Sequence, residues 1–96
     1  MGTRDIGYIG NEIIRATAGS PSSIYVFQQE VEKATLINNS STDSIFFNIN
    51  GSAWETGSTV GELKRLTSVD LLSKCGSVGI GTATGTSGVF TLIGYY

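Results

Sequence analysis

Histidine is absent from the chain, and cysteine, proline and tryptophan occur once each. The missing histidine removes the usual general base at neutral pH, the Ser-His and Cys-His nucleophile pairs, and the commonest ligand of zinc and iron. A single cysteine, Cys75, excludes an internal disulfide, and with no imidazole to activate it the thiol reads as a small filler beside a turn. Charge is also scarce. Charged residues make up 15% of 96 residues, against the ~25% usual for soluble domains. Six basic and eight acidic side chains leave a formal charge of −2, and Lys64-Arg65 is the sole adjacent basic pair. A nucleic-acid partner, which needs clustered Lys and Arg to displace counterions, is therefore not expected. No apolar run approaches the ~18 residues of a membrane-spanning helix, so no membrane partner is expected either. The opening "MGTRDIGYIGNE" has no basic-then-apolar leader pattern, and Ile6 breaks the myristoylation pattern. The expectation is a soluble product of the cytoplasm.

With so few charges, polarity must come from Ser, Thr, Asn and Gly, and the length allows one domain. Residues 1–21 stand apart, with Gly2, Gly7, Gly10, Gly19 and the boundary residue Pro21. The glycines bracket "NEIIRATA" too tightly for a stable helix, so an extended arm is expected. Burial of Ile6, Tyr8, Ile9, Ile13 and Ile14 cannot alone offset the entropy of ordering it. Backbone hydrogen bonds must contribute, along the sheet edge or on a partner, and in the isolated monomer the arm should fray.

Residues 22–96 read as a β-sandwich domain. "SIYVFQQ" (23–29), "ATLINN" (34–39), "SIFFNIN" (44–50), "SVDLLS" (68–73), "SVGIGTA" (77–83) and "VFTLIGYY" (89–96) are strand-like. Gly, Ser, Asn and Thr separate them. The second and third of these flank "SSTD" as a four-residue hairpin connection. "GSAWETGSTVGEL" reads as loop. Over 59–74 the Thr59/Glu62 capping spacing and the leucines allow a short turn of helix, which Thr67, Ser68 and Val69 interrupt. The fold class expected is all-β: a small antiparallel β-sandwich or jelly-roll-like barrel with an extended N-terminal arm.

Two strands are apolar on both faces. In "SIFFNIN", Ile45, Phe47 and Ile49 share one face while Phe46 and Asn48 take the other; in the last strand Phe90 and Leu92 oppose Val89 and Ile93. A two-layer fold has one interior, so the outer faces call for cover by the arm or another subunit.

Chemical motifs are weak. Glu30 and Glu32, beside Lys33, form a solvated run rather than a catalytic carboxylate pair. Asn38, Asn39 and Asp43 lack the glycine and terminal Glu of a calcium loop. Gly79, Gly81 and Gly85 have the wrong spacing for a phosphate cradle and suit turns and close strand packing instead. The Asn38, Asn39 and Asn50 sequons accompany no leader and reflect turn preference. No catalytic residue, cofactor or metal site is assigned. Trp54 serves either as a lid on the core or as an interface anchor, and of Tyr95 and Tyr96 the one that points inward packs.

The stretch "ATLINNSSTDSIFFNING" resembles the segment "v-l-v-N-x-S-x-x-x-v-y-v-x-i-n-G" of small structural proteins in tailed-bacteriophage virions. "SVDLLSKCGSVGIGTATGTSGVFTLIGYY" is similar to their second half, a strand, S-V-x-I, a Gly/Thr/Ser turn and a closing strand ending in I-G-Y. Where such proteins carry a Pro-Gly-Glu turn, this chain has "RLTS". The resemblance implies a non-enzymatic β-sandwich of the virion that decorates or cements the capsid, with a head–tail connector, tail or fibre component as the alternative. It implies the major capsid protein or other virion proteins as partners, and a homo-oligomer, with a trimer favoured. Ile6, Tyr8, Ile13 and Ile14 of the arm, with Trp54, are the interface candidates. A glycan- or receptor-binding module using Trp54 and the tyrosines is the reading from another class.

Overall fold

The computed structural model describes residues 10–49, 61–71 and 74–96. Eight strands run through them: β1 (Asn11–Ala18), β2 (Ser23–Val31), β3 (Lys33–Asn38), β4 (Ile45–Ile49), β5 (Gly61–Leu63), β6 (Ser68–Leu71), β7 (Cys75–Gly81) and β8 (Gly88–Tyr95). They form two four-stranded sheets, ordered β1-β8-β3-β6 and β2-β7-β4-β5. Every pairing is antiparallel.

The partners β1·β8, β2·β7, β3·β6 and β4·β5 are those of one long hairpin, with β4 and β5 nearest its tip. Wrapping that hairpin on itself brings β8 beside β3 and β7 beside β4. The result is an eight-stranded jelly roll, an all-β sandwich of the class expected from the strand spacing. Outside the β4–β5 hairpin, each successive strand lies in the opposite sheet.

Alternation puts one side of each strand inside. Leu36, Phe90 and Leu92 of the first sheet meet Ile45, Val78 and Ile80 of the second, all fully buried. Tyr25 of β2 meets Phe90 of β8 edge-on, with ring centroids 5.0 Å apart, and ties the sheets together. Close approach depends on two glycines. A Cβ on Gly94 would lie 2.6 Å from Val31 and 2.7 Å from Phe27, so its absence lets both fill the interior. Gly81 likewise admits Ser22, whose Cβ would be 2.7 Å from an added one, where residues 19–22 cross between sheets.

The "SSTD" connection is a sheet-crossing corner, and the hairpin expected there does not form. β3 pairs with β6 and β8, while β4 pairs with β5 and β7. Asn38, 1% exposed, holds the corner. Its Nδ2 donates to the Asp43 carbonyl at 2.9 Å and the Leu63 carbonyl at 3.0 Å, and its Oδ1 accepts from the Ser40 N–H at 2.9 Å. Ser40 Oγ accepts from the N–H groups of Thr42 and Asp43. The same Asn/Ser chemistry that favours a hairpin turn here satisfies the backbone of a longer-range crossing.

Three-residue β5 lies inside the stretch expected to be loop, and Phe47 packs over its Gly61. The short helical turn allowed over 59–74 is replaced, over the described residues, by β5, a turn at Arg65-Leu66, and β6. Leu66 in that turn has φ 55°, a left-handed conformation. Residues 11–18 of the expected arm form β1, paired along its length with β8 and at the edge of its sheet. Ile6, Tyr8 and Trp54 lie outside the described residues.

Candidate interaction surface

The outer face of the β1-β8-β3-β6 sheet follows from its register. Ile13 stands opposite Ile93, which stands opposite Thr35, which stands opposite Asp70. The next row is Arg15, Thr91, Ile37 and Ser68, followed by Thr17 and Val89. Ile37 is therefore diagonal to both Ile93 and Val89, within reach of each across the strands. Ile13, Ile93, Ile37 and Val89 make a contiguous stripe. Ile13 is 51% exposed and Val89 52%, while Ile37 and Ile93 are half-buried.

The polar groups of this face are largely engaged with one another. Thr91 Oγ1 donates to Asn39 Oδ1 at 2.8 Å, and Thr35 Oγ1 donates to Asp70 Oδ1 at 2.8 Å. Lys33 Nζ lies 3.9 Å from Asp70 Oδ2 and 5.5 Å from the centroid of the Tyr95 ring. Such exposed pairs add little stability, but they leave few charges for water to hold. Among the described residues, Arg15 is the one charged side chain of the face without an ionic or hydrogen-bonded partner. The surface is thus rich in β-branched side chains and low in unpaired charge.

The adjacent isoleucines of the arm part company here. Ile13 faces outward, and Ile14, opposite Leu92, packs against the core. A strand can present only one of two neighbours to a given face. Tyr96 packs inward against the core, while Tyr95 meets Lys33 on the outer face. Ile37, Val89 and Ile93 were not among the sequence candidates; the alternation of "VFTLI" signals the last two, and only the register adds Ile37.

The opposite sheet also exposes aliphatic side chains, with Val26 66% and Ile24 44% accessible on edge strand β2. Phe46, the outward aromatic of "SIFFNIN", is half-buried across from Gly81 and Glu62. Cys75 is fully buried. Burial, and secondarily the charge of Glu30, push its thiol above the ordinary 9.0, which disfavours the thiolate a nucleophile needs. Among the described residues, no group of three or more Cys, Asp or Glu side chains could hold a metal ion.

Fold and surface together define a jelly-roll sandwich with an aliphatic stripe on one outer face. No protein-family model and no curated protein matches the chain. A crystal structure of CoII HppE in complex with substrate is similar, with a TM-score of 0.56 and 9% identity over 88% of this chain. The chain spans 42% of that structure's length. At this identity the likeness shows the fold alone.

Proposed function

We propose that the chain is a non-enzymatic structural protein of a phage virion, a capsid decoration or cement protein. Its partners are the major capsid protein or other virion proteins, and copies of itself, with a trimer the favoured state. The observation that carries this reading is the Ile13–Ile93–Ile37–Val89 stripe on the outer face of one sheet. Covering it with a partner removes apolar surface from water, at about 25 cal/mol per Å² before the costs of association. The engaged Thr and Asn groups keep the polar cost of that burial low. Repetition over a shell then strengthens many modest contacts through avidity and mass action.

A non-enzymatic role is supported by the chain's lack of histidine and by the apolar packing between the sheets. A lone thiol shifted toward its neutral form offers no substitute nucleophile. Quantitative mass spectrometry of purified virions tests the proposal. Copy numbers that match occupancy across the shell lattice support it. A small closed ring at one vertex would move the chain to the head–tail junction, and absence from the particle would end the virion reading.

A further inference from the structure

The β2–β7 ladder holds from Ser23 to Val26 and resumes only at Val31, opposite Cys75. The residues between are out of register, and such a bulge redirects side chains. Phe27 turns into the core, whereas Gln28 and Gln29 are exposed. The Gln28 N–H donates at 2.8 Å to Oε1 of Glu12 on β1, in the facing sheet. Glu12 lies on the inner side of its strand, in line with Ile14, so its carboxylate sits at the mouth of the sandwich.

There the two sheets flank a half-open groove of about 330 Å³, lined among the described residues by Asn11, Glu12, Gln28, Gln29 and Tyr96. Tyr96 is anchored. Gly10 and Tyr96 exchange both backbone hydrogen bonds, at 2.9 and 3.1 Å. The phenol edge lies across Gly10 so closely that an added Cβ would come within 2.9 Å of it.

The chemistry of the lining narrows its ligand. Among the described residues the lining contains no Lys or Arg to receive an anion, no aliphatic side chain to receive a lipid tail, and one carboxylate for a cation. What it offers is Glu12 Oε2 and three carboxamides, none with a hydrogen-bonded or ionic partner among the described residues, beside a fixed phenol. Carboxamides both donate and accept, and a carboxylate accepts from adjacent hydroxyls. A volume near the lower end of ligand-pocket sizes, ~300–1,000 Å³, suits one or two sugar rings.

We propose that this groove binds a neutral saccharide, with Glu12 and the amides of Gln28 and Gln29 engaging its hydroxyls and Tyr96 lining one side. The site is independent of the apolar stripe and of the virion reading.

The test is an NMR titration of the full ¹⁵N-labelled chain with glucose, galactose, N-acetylglucosamine, rhamnose, maltose and lactose, and separately with inorganic phosphate. At least one sugar should give saturable shifts centred on the amides of Asn11, Glu12, Gln28, Gln29 and Tyr96, and phosphate none. Gln29→Ala, at an exposed position, should weaken binding by about tenfold, as expected for loss of one well-made set of hydrogen bonds. Glu12→Gln retains an acceptor for the Gln28 N–H and should weaken binding similarly with the fold intact. Saturation by no sugar, saturation by phosphate at these amides, or unchanged affinity in both variants would overturn the proposal.

Discussion

Leu66 provides a test in which strain and exposure act in one direction. It occupies the turn between β5 and β6 at φ 55° and is 66% exposed. The left-handed conformation brings Cβ against the following carbonyl and costs an L-residue roughly 1–2 kcal/mol. Because most of the side chain is in water, replacing it forfeits little burial. The backbone N–H, which donates to the Ser40 carbonyl at 3.2 Å, is retained by any residue but proline. Glycine removes the clash but adds about 0.4–1 kcal/mol of unfolded-chain freedom. Asparagine tolerates the conformation without as large an entropic penalty. Leu66→Asn should therefore stabilise by about 1 kcal/mol and Leu66→Gly by about 0.5. For a domain of 60–100 residues, 1 kcal/mol shifts Tm by roughly 4–8 °C. Thermal unfolding followed by circular dichroism should rank the proteins Asn, then Gly, then the parent leucine. If both variants melt at or below the parent, the assignment of strain to this turn is wrong.

Three further outcomes follow from the interior. Asn38→Ala removes three hydrogen bonds at the sheet-crossing corner and leaves the Asp43 and Leu63 carbonyls and the Ser40 N–H unsatisfied; urea unfolding should show a loss of about 2–4 kcal/mol. Gly94→Ala places a methyl 2.6–2.7 Å from Val31 and Phe27, and the resulting overpacking should cost about 1–3 kcal/mol in the same assay. Cys75 should resist a thiol reagent such as DTNB in the native protein and react stoichiometrically after unfolding. Since folding raises its pKa, its contribution is intact below the ordinary 9.0 and declines as pH rises through the higher folded value. A Cys75→Ser control should flatten that alkaline decline, and an unchanged slope would show that another group causes it.

The strands of the domain were legible because alternation survives without context. "VFTLI" displays two inward and three outward residues, and the observed β8 keeps that order. Three-residue β5 was hidden because so short a segment carries no period, and pairing with β4 defines it. At the corner after Asn38 the sequence points to a hairpin for a different reason. Asn, Ser and Asp stabilise tight reversals and sheet crossings alike, and the deciding bond runs from Asn38 to Leu63, 25 residues away. Residues 11–18 read correctly as extended, but their eight-residue register with the last strand belongs to long-range pairing.

The surface divides similarly. Ile13 and Ile14 were equivalent as members of an apolar arm, and only the β1–β8 register separates the outward residue from the packed one. The groove had no sequence signature. Glu12 and Gln28 are 16 residues apart, and the β2 bulge aims their segments at each other across two sheets. Recognition of that site requires the tertiary fold.

The central proposal is that an assembled neighbour covers the outer sheet face. Carbene footprinting with mass-spectrometric readout should compare the free chain with the chain in purified virions. The account predicts strong labelling of Ile13, Ile37, Val89 and Ile93 in the free chain and marked protection in the particle. Equal labelling of the four in both states would contradict it.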